Sequence, residues 1–259
     1  MRDPTAYLFD LEGTLYENGA ALPGAVAALA RMRRRGVPFR LVTNTTSRSR
    51  AMLVKRLAGF GFEVEPEDIF TATIAGVGLL RSAGYHTVAP FVPPGALEDM
   101  AGLTVGGGTS GKSLLAAADA VVIGDLGEYW TFALMQEAFA HLVAGAALVA
   151  LSRDRYWRQG ERLVLDTGPF VAGLEFASGK AAQVAGKPSE SFFAAAVAGM
   201  GQPAGAVAMV GDDLWSDVEG AQRAGLQGWL VRTGKFSEDT LRHASVTPDR
   251  ILDSVADLA

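Results

Sequence analysis

Tyr7-Leu8-Phe9-Asp10-Leu11-Glu12-Gly13-Thr14-Leu15 is a short apolar run that stops at a carboxylate and then turns through Gly-Thr. A carboxylate at the end of a buried strand needs solvent or a cation. The glycine gives up side-chain contacts so that the backbone can turn sharply or approach a ligand. In open α/β sheets the carboxyl ends of strands are where ligands bind. Working outward, residues 6–10 read as a buried strand. Residues 23–35 read as a helix with Val26, Leu29 and Met32 on one face and Gly36 as its stop. Residues 39–43 form the next strand and 47–59 the next helix. In the far half, 183–185, 206–210 and 228–231 read as strands, and 189–200 and 216–224 as helices. Repeated β-α units of this kind predict an α/β fold, a parallel sheet with helices on both faces.

Residues 75–178 are less regular. They hold strand candidates at 120–123 and 147–151, a helix around 131–142, and glycine- and proline-rich stretches at 90–95 and 106–111. The reading is an inserted domain over residues 77–178, between core segments 1–76 and 179–259. A chain of 259 residues is long enough for one large core plus such an insertion. Hydrophobic residues at 49% and charged residues at 20% are ordinary for a folded soluble protein. The net charge of −5 argues against nucleic-acid binding as the main activity. The absence of cysteine excludes disulfides, thiolate catalysis and zinc–cysteine sites. No apolar run has signal-peptide or membrane-spanning length, so a cytoplasmic protein without a membrane partner is expected.

Three further strand ends carry polar groups suited to phosphate. Arg40-Leu41-Val42 ends in Thr43-Asn44, a hydroxyl and an amide. A helix N-cap is the plainer role, but Ser47 is available to cap the helix that follows. Gly186-Lys187-Pro188 sets an ammonium beside a helix start, with Pro188 suited to the first helical position; a solvated loop lysine is the plain alternative. Met209-Val210-Gly211-Asp212-Asp213 is followed by Ser216-Asp217, two carboxylates at a strand end with a third four residues beyond. Mg²⁺ or Ca²⁺ takes such oxygen ligands, and N-capping accounts for one of the three aspartates only.

This order of strand-end motifs (Asp, Thr/Asn, Lys, Gly-Asp-Asp) resembles the haloacid dehalogenase-like hydrolase superfamily. The insertion between the second and third motifs resembles the larger cap of the phosphatases related to NagD. Several stretches are similar to the branch of phospholysine phosphohistidine inorganic pyrophosphate phosphatases and haloacid dehalogenase-like domain-containing proteins. These are Arg155-Tyr156-Trp157, residues 165–170, Ala185-Gly186-Lys187-Pro188 with Ser191-Phe192-Phe193, and residues 220–225 with 231–236. The resemblance implies a Rossmann-like parallel-sheet core with an inserted α/β cap. It implies Asp10 as nucleophile and Mg²⁺ held by Asp10, the backbone carbonyl of Glu12 and Asp212, with Asp213 and Asp217 supporting from behind. Thr43, Asn44 and Lys187 would hold phosphate oxygens. The implied partner is a small phosphorylated substrate, and a second copy bound through the cap is a possible homodimer. A carboxylate is a competent covalent nucleophile in phosphoryl transfer, which depends on positioning and charge stabilisation.

Glu12 departs from the pattern, since phosphatases of the superfamily normally carry a second aspartate there. Three roles stay open for it: an acid that protonates the leaving group, a poor acid, or a residue pointing away whose carbonyl alone serves the metal. Arg153 and Asp154 follow a strand of the cap and are candidates for leaving-group contacts. The segment 106–113, Gly-Gly-Gly-Thr-Ser-Gly-Lys-Ser, fits the phosphate-cradling pattern G-x-x-x-x-G-K-[ST]. Its preceding strand (103–105) and following helical stretch (113–118) are short, so a glycine-rich surface loop is expected. The histidines at 86, 141 and 243 are scattered, the Arg31–Arg35 cluster reads as a solvated helix end, and Trp157 and Trp229 read as packing residues. The leading reading is a Mg²⁺-dependent phosphohydrolase acting on a small phosphorylated metabolite or pyrophosphate. A phosphate-binding protein with weakened catalysis and a carbon–halogen hydrolase are the alternatives.

Overall fold

The computed structural model describes residues 3–113, 117–159 and 162–258. Its contacts divide the chain into two compact units. One comprises Met1–Thr43, Arg50–Phe70 and Lys187–Ala259, and the other Asn44–Ser49 and Thr71–Gly186.

The first unit is built on a six-stranded sheet. Its order is Arg250–Leu252, Gln227–Val231, Val207–Gly211, Ala6–Asp10, Phe39–Thr43 and Ile69–Thr71. The pairs from Arg250–Leu252 to Phe39–Thr43 all run parallel. The expected α/β architecture is therefore present. A parallel strand covered on both faces is apolar throughout, and Val207–Gly211 and Gln227–Val231 are buried at every position. Ala6–Asp10 lies between Val207–Gly211 and Phe39–Thr43, so the strand order reverses at its carboxyl end. That is the switch point where open α/β sheets bind ligands. Phe9, Leu41, Val210, Trp229 and Val231 share one core with Leu29 and Met32 of the helix Ala25–Arg34. Each large apolar side chain fully buried there contributes about 1.5–3 kcal/mol. The indole of Trp229 meets the Tyr7 ring edge-on at 5.8 Å, as the packing reading requires.

Several boundaries differ from the sequence reading for local reasons. The second helix begins at Arg50, so Ser49 rather than Ser47 immediately precedes it. Pro188 lies ahead of the helix Glu190–Val197, whose N-cap is Ser189, and not in its first turn. The segment read as one helix over 216–224 is a π-helical turn, Leu214–Glu219, followed by a short α-helix, Gly220–Arg223. The arginine cluster is not simply solvated. Arg31 donates to the carbonyls of Ala256 and Leu258, and Arg33 to Asp68. Its cations fasten distant segments onto the helix end.

The second unit carries its own five-stranded sheet in the order Gln183–Val184, Ala147–Ala150, Ala120–Ile123, Thr87–Phe91 and Thr104–Val105, with every pair parallel. The irregular look of the middle region is thus misleading. Pro90 lies within a central strand, opposite Val122, where proline normally argues against a strand. The Pro90 carbonyl is still used, accepting from the backbone and hydroxyl of Thr109. Residues 114–116 of the short helical stretch expected after the glycine-rich loop lie outside the described residues. Trp157 is more exposed than a packing residue. No helix of the described residues is long and apolar enough to cross a membrane.

The helix Thr167–Ser178 starts at Asp166, whose carboxylate accepts the Thr167 N–H at 2.6 Å. Burial, with Asp154 and Asp125 nearby, pushes Asp166 up to about 6 from 3.8. A carboxyl with a raised folded-state pKa adds stability at low pH, and that stability is lost as pH rises from about 4 through 6. Asparagine caps equally well without the charge. Asp166→Asn is expected to exceed the wild type in stability by on the order of 1–2 kcal/mol at pH 8. The difference should vanish near pH 4; urea unfolding at both pH values checks it.

Candidate active site

The switch point of the first sheet collects the acidic strand ends. Asp10 closes the central strand. Asp212 follows the neighbouring strand by one residue, and the paired register of Phe9 with Val210 brings the two ends level. The π-helical turn then returns Asp217 beneath the end of its own strand, where a Cβ on Gly211 would overlap its carboxylate. Exposure falls to 8% for Asp10, 3% for Asp212 and Lys187, and 1% for Asp217, so none of these groups relies on bulk water. Asp10, Asp212 and Asp217 each offer an oxygen within 4.8 Å of the others, the metal-type grouping among the described residues.

Lys187 is held inside this cluster. Its Nζ lies 2.5 Å from Asp10 Oδ1 and 2.6 Å from Asp217 Oδ1. Burial alone would lower its pKa, but the two carboxylates outweigh burial and hold the ammonium well above its ordinary value. The solvated-loop alternative for this lysine is therefore excluded. Asp217 spends its second oxygen on the Asp213 N–H at 3.1 Å. Asp213 is the N-cap, accepting from Trp215 and Ser216 at 3.0 Å each.

Asp212 is gripped by backbone. Its Oδ2 accepts the Lys235 N–H at 2.7 Å. Gly13 (φ +84°) and Gly234 (φ +59°) close on it so tightly that a Cβ on either would fall 2.1 Å from the same oxygen. Both positions therefore require glycine for space and for backbone angle. Burial, then the charges of Asp10 and Asp217, push the Asp212 pKa far up. Fully ionised, Asp10, Asp212, Asp213 and Asp217 outnumber the ammoniums of Lys187 and Lys235 by two negative charges. A single divalent cation balances that excess. Asp10 Oδ2 and Asp212 Oδ1 are the oxygens that these bonds leave over, and an all-oxygen set suits Mg²⁺. The donor set fits the ion.

The remaining expected residues are distributed between the two units. Thr43 ends the strand beside Asp10 and is buried. Asn44, its chain neighbour, is counted with the second unit, where its amide donates to Asp154 Oδ2 at 3.1 Å. Asp154 also accepts from Ser152, while Arg153 turns to Glu175. Glu12 is exposed in the loop after Asp10, and its carboxylate is outside the buried cluster. In the glycine-rich loop of the second unit, several N–H groups are already used within the protein. The N–H groups of Gly107, Gly108 and Thr109 are spent on Lys112 O, Glu137 and Pro90 O. Sequence reasoning assigned no site role to Gly234 or Lys235. Their only sequence signal was the Thr233-Gly234-Lys235 stretch itself, since nothing in its spacing links it to Asp212.

Such an arrangement defines a hydrolase with an acidic, lysine-bridged centre at the switch point of a parallel sheet. The chain belongs to the haloacid dehalogenase-like hydrolase family, within its NagD-type branch of capped phosphatases. The haloacid dehalogenase-like hydrolase model matches residues 7–105, and a HAD-hydrolase-like model matches residues 184–258. The chain is 39% identical over 231 residues to haloacid dehalogenase-like hydrolase domain-containing protein 2 of Bos taurus, covering 89% of this chain and 85% of that protein. It is 34% identical over 256 residues to the phospholysine phosphohistidine inorganic pyrophosphate phosphatase of Homo sapiens, covering 96% and 91%. Its fold matches the p-nitrophenyl phosphatase of Archaeoglobus fulgidus with a TM-score of 0.89 and 26% identity, over 99% of this chain and 98% of that one. The match to NagD of E. coli K-12 has a TM-score of 0.86 and 25% identity, over 100% and 99%.

Because Asp212 is buried against like charges, Asp212→Asn is expected to raise the thermal midpoint of the protein in EDTA. The same change should abolish any rise in midpoint on adding Mg²⁺, which stabilises only by binding the folded state. Differential scanning calorimetry of both forms, with and without the ion, checks this.

Proposed function

We propose that this protein is a Mg²⁺-dependent phosphohydrolase that forms an aspartyl-phosphate on Asp10, with a small phosphorylated metabolite or pyrophosphate as substrate. The observation that carries the reading is the buried Asp10–Lys187–Asp217 bridge with Asp212 beside it. The named activity of the phospholysine phosphohistidine inorganic pyrophosphate phosphatase supports the substrate class.

One oxygen of the Asp10 carboxylate attacks phosphorus, and the bond from phosphorus to the leaving group breaks. Lys187 holds Asp10 Oδ1, so the attacking oxygen is oriented before substrate arrives, and its charge offsets that of the phosphoryl oxygens. Thr43 holds a further phosphoryl oxygen through its hydroxyl. Glu12 protonates the departing group, then takes a proton from the water that attacks phosphorus and releases Asp10. Asp10, the Glu12 carbonyl and Asp212 would hold Mg²⁺, which would supply Lewis-acid neutralisation of phosphate charge. Asp213 and Asp217 keep Asp212 and Lys187 in place. The proposed setting is the cytoplasm.

Phosphate release is expected to fall to background with Asp10→Asn and with EDTA. Turnover surviving both would remove the reading. Glu12→Gln is expected to lower kcat by roughly 10²-fold on an alkyl phosphate and far less on p-nitrophenyl phosphate, whose leaving group needs little protonation.

The second unit also exposes Phe132 at 84% and Phe176 at 94%, with Tyr156 and Leu165 paired and exposed across a two-stranded ladder. We read this apolar surface as the contact of a homodimer. Light scattering should give twice the chain mass for the wild type and less for Phe176→Asp.

A further inference from the structure

Lys235 stands outside the carboxylate cluster yet reaches it from two directions. Its backbone N–H donates to Asp212 Oδ2 at 2.7 Å, and its ammonium lies 3.0 Å from Asp213 Oδ2. Asp213 is the pivot of the turn that follows. One of its oxygens caps Trp215 and Ser216, and its N–H donates to Asp217, whose other oxygen holds Lys187. Thr233 secures the same segment by donating its hydroxyl to the Gly13 carbonyl, and Gly234 packs against both Gly13 and Asp212. A single three-residue stretch thus meets the loop after Asp10, the carboxylate of Asp212 and the cap of the Asp217 turn.

We propose that Lys235 is a positioning residue for the cation site: by clamping Asp213 it seats the 233–235 backbone so that Asp212 keeps the orientation a divalent ion needs. The proposal rests on the Mg²⁺ site argued above. Its side chain is 63% exposed while that of Asp213 is 18% exposed, so the clamp closes over a largely covered carboxylate.

Two roles for the ammonium predict opposite signs. A bystander cation at the rim repels Mg²⁺, so its removal tightens binding. A clamp that seats Asp212 does the reverse, and groups behind a metal ligand typically change affinity by roughly 10–100-fold. The experiment is calorimetric titration of Mg²⁺ into the full-length wild type, Lys235→Met, Lys235→Arg and Asp212→Asn, with thermal midpoints in EDTA. Lys235→Met keeps the backbone N–H, and it is expected to weaken Mg²⁺ binding roughly tenfold, at the lower end of that range. Lys235→Arg should restore binding. The Mg²⁺ concentration for half-maximal phosphate release should rise in Lys235→Met, with kcat recovered at saturating ion. Unchanged or tighter binding in Lys235→Met, alongside lost binding in Asp212→Asn, overturns the clamp and leaves the cation site standing. No Mg²⁺ binding by the wild type overturns both. Lys235→Gln carries the same comparison where Lys235→Met fails to fold.

Discussion

The buried bridge from Lys187 to Asp10 and Asp217 is the interaction on which the rest of the site depends. Removing charges from water costs several kcal/mol per ion, and the mutual attraction repays this only when geometry and further hydrogen bonds are good. Here the ammonium touches two carboxylates, and the second oxygen of Asp217 is met by a backbone N–H. Among the described residues, no ammonium is hydrogen-bonded to Asp212. It accepts the Lys235 N–H, while burial and then the charges of Asp10 and Asp217 push its pKa upward. The cluster is therefore satisfied at one end and overcharged at the other. That imbalance gives a divalent cation a reason to bind there.

Local backbone chemistry serves this charge arrangement. The π-helical turn after Asp213 makes the chain fold back under its own strand and presents Asp217 to Lys187. Such turns recur at functional sites because they trade regular hydrogen bonding for a redirected side chain. Gly13 and Gly234 make room for Asp212 from opposite sides, at the expense of any side chain at either position. Packing around the site is conventional, with Phe9 and Val210 buried in the core beneath the acidic ends of their strands.

Much of the fold was legible because local and global preferences agree. The runs at 6–10, 39–43 and 120–123 are strands over the expected residues, since each holds a short apolar run that ends at a polar residue or glycine: Asp10, Thr43 and Gly124. The strand Thr87–Phe91 was hidden by Pro90, whose missing donor counts against a strand although its carbonyl is fully used. The short strand Gln183–Val184 pairs with Ala147–Ala150 in the second sheet. Two residues cannot announce which sheet they join. Pro188 suited a helix start by composition, but Ser189 took the cap and the helix followed it.

By itself the sequence determined the chemical inventory. A carboxylate at the end of the first strand, a lysine before a helix, and acidic groups after a third strand are residue types in an order, and order is what a chain encodes directly. Only the tertiary structure decided which of these groups share a space. It placed Asp217 with Asp10 and Lys187, set Glu12 outside the carboxylate cluster, tied Asn44 to Asp154, and brought the unremarked Lys235 onto Asp212. The physical reason is that strand residues 201 positions apart, such as Phe9 and Val210, become neighbours through sheet register and the crossing of loops. Those contacts depend on distances of a few ångströms between segments that no local pattern relates.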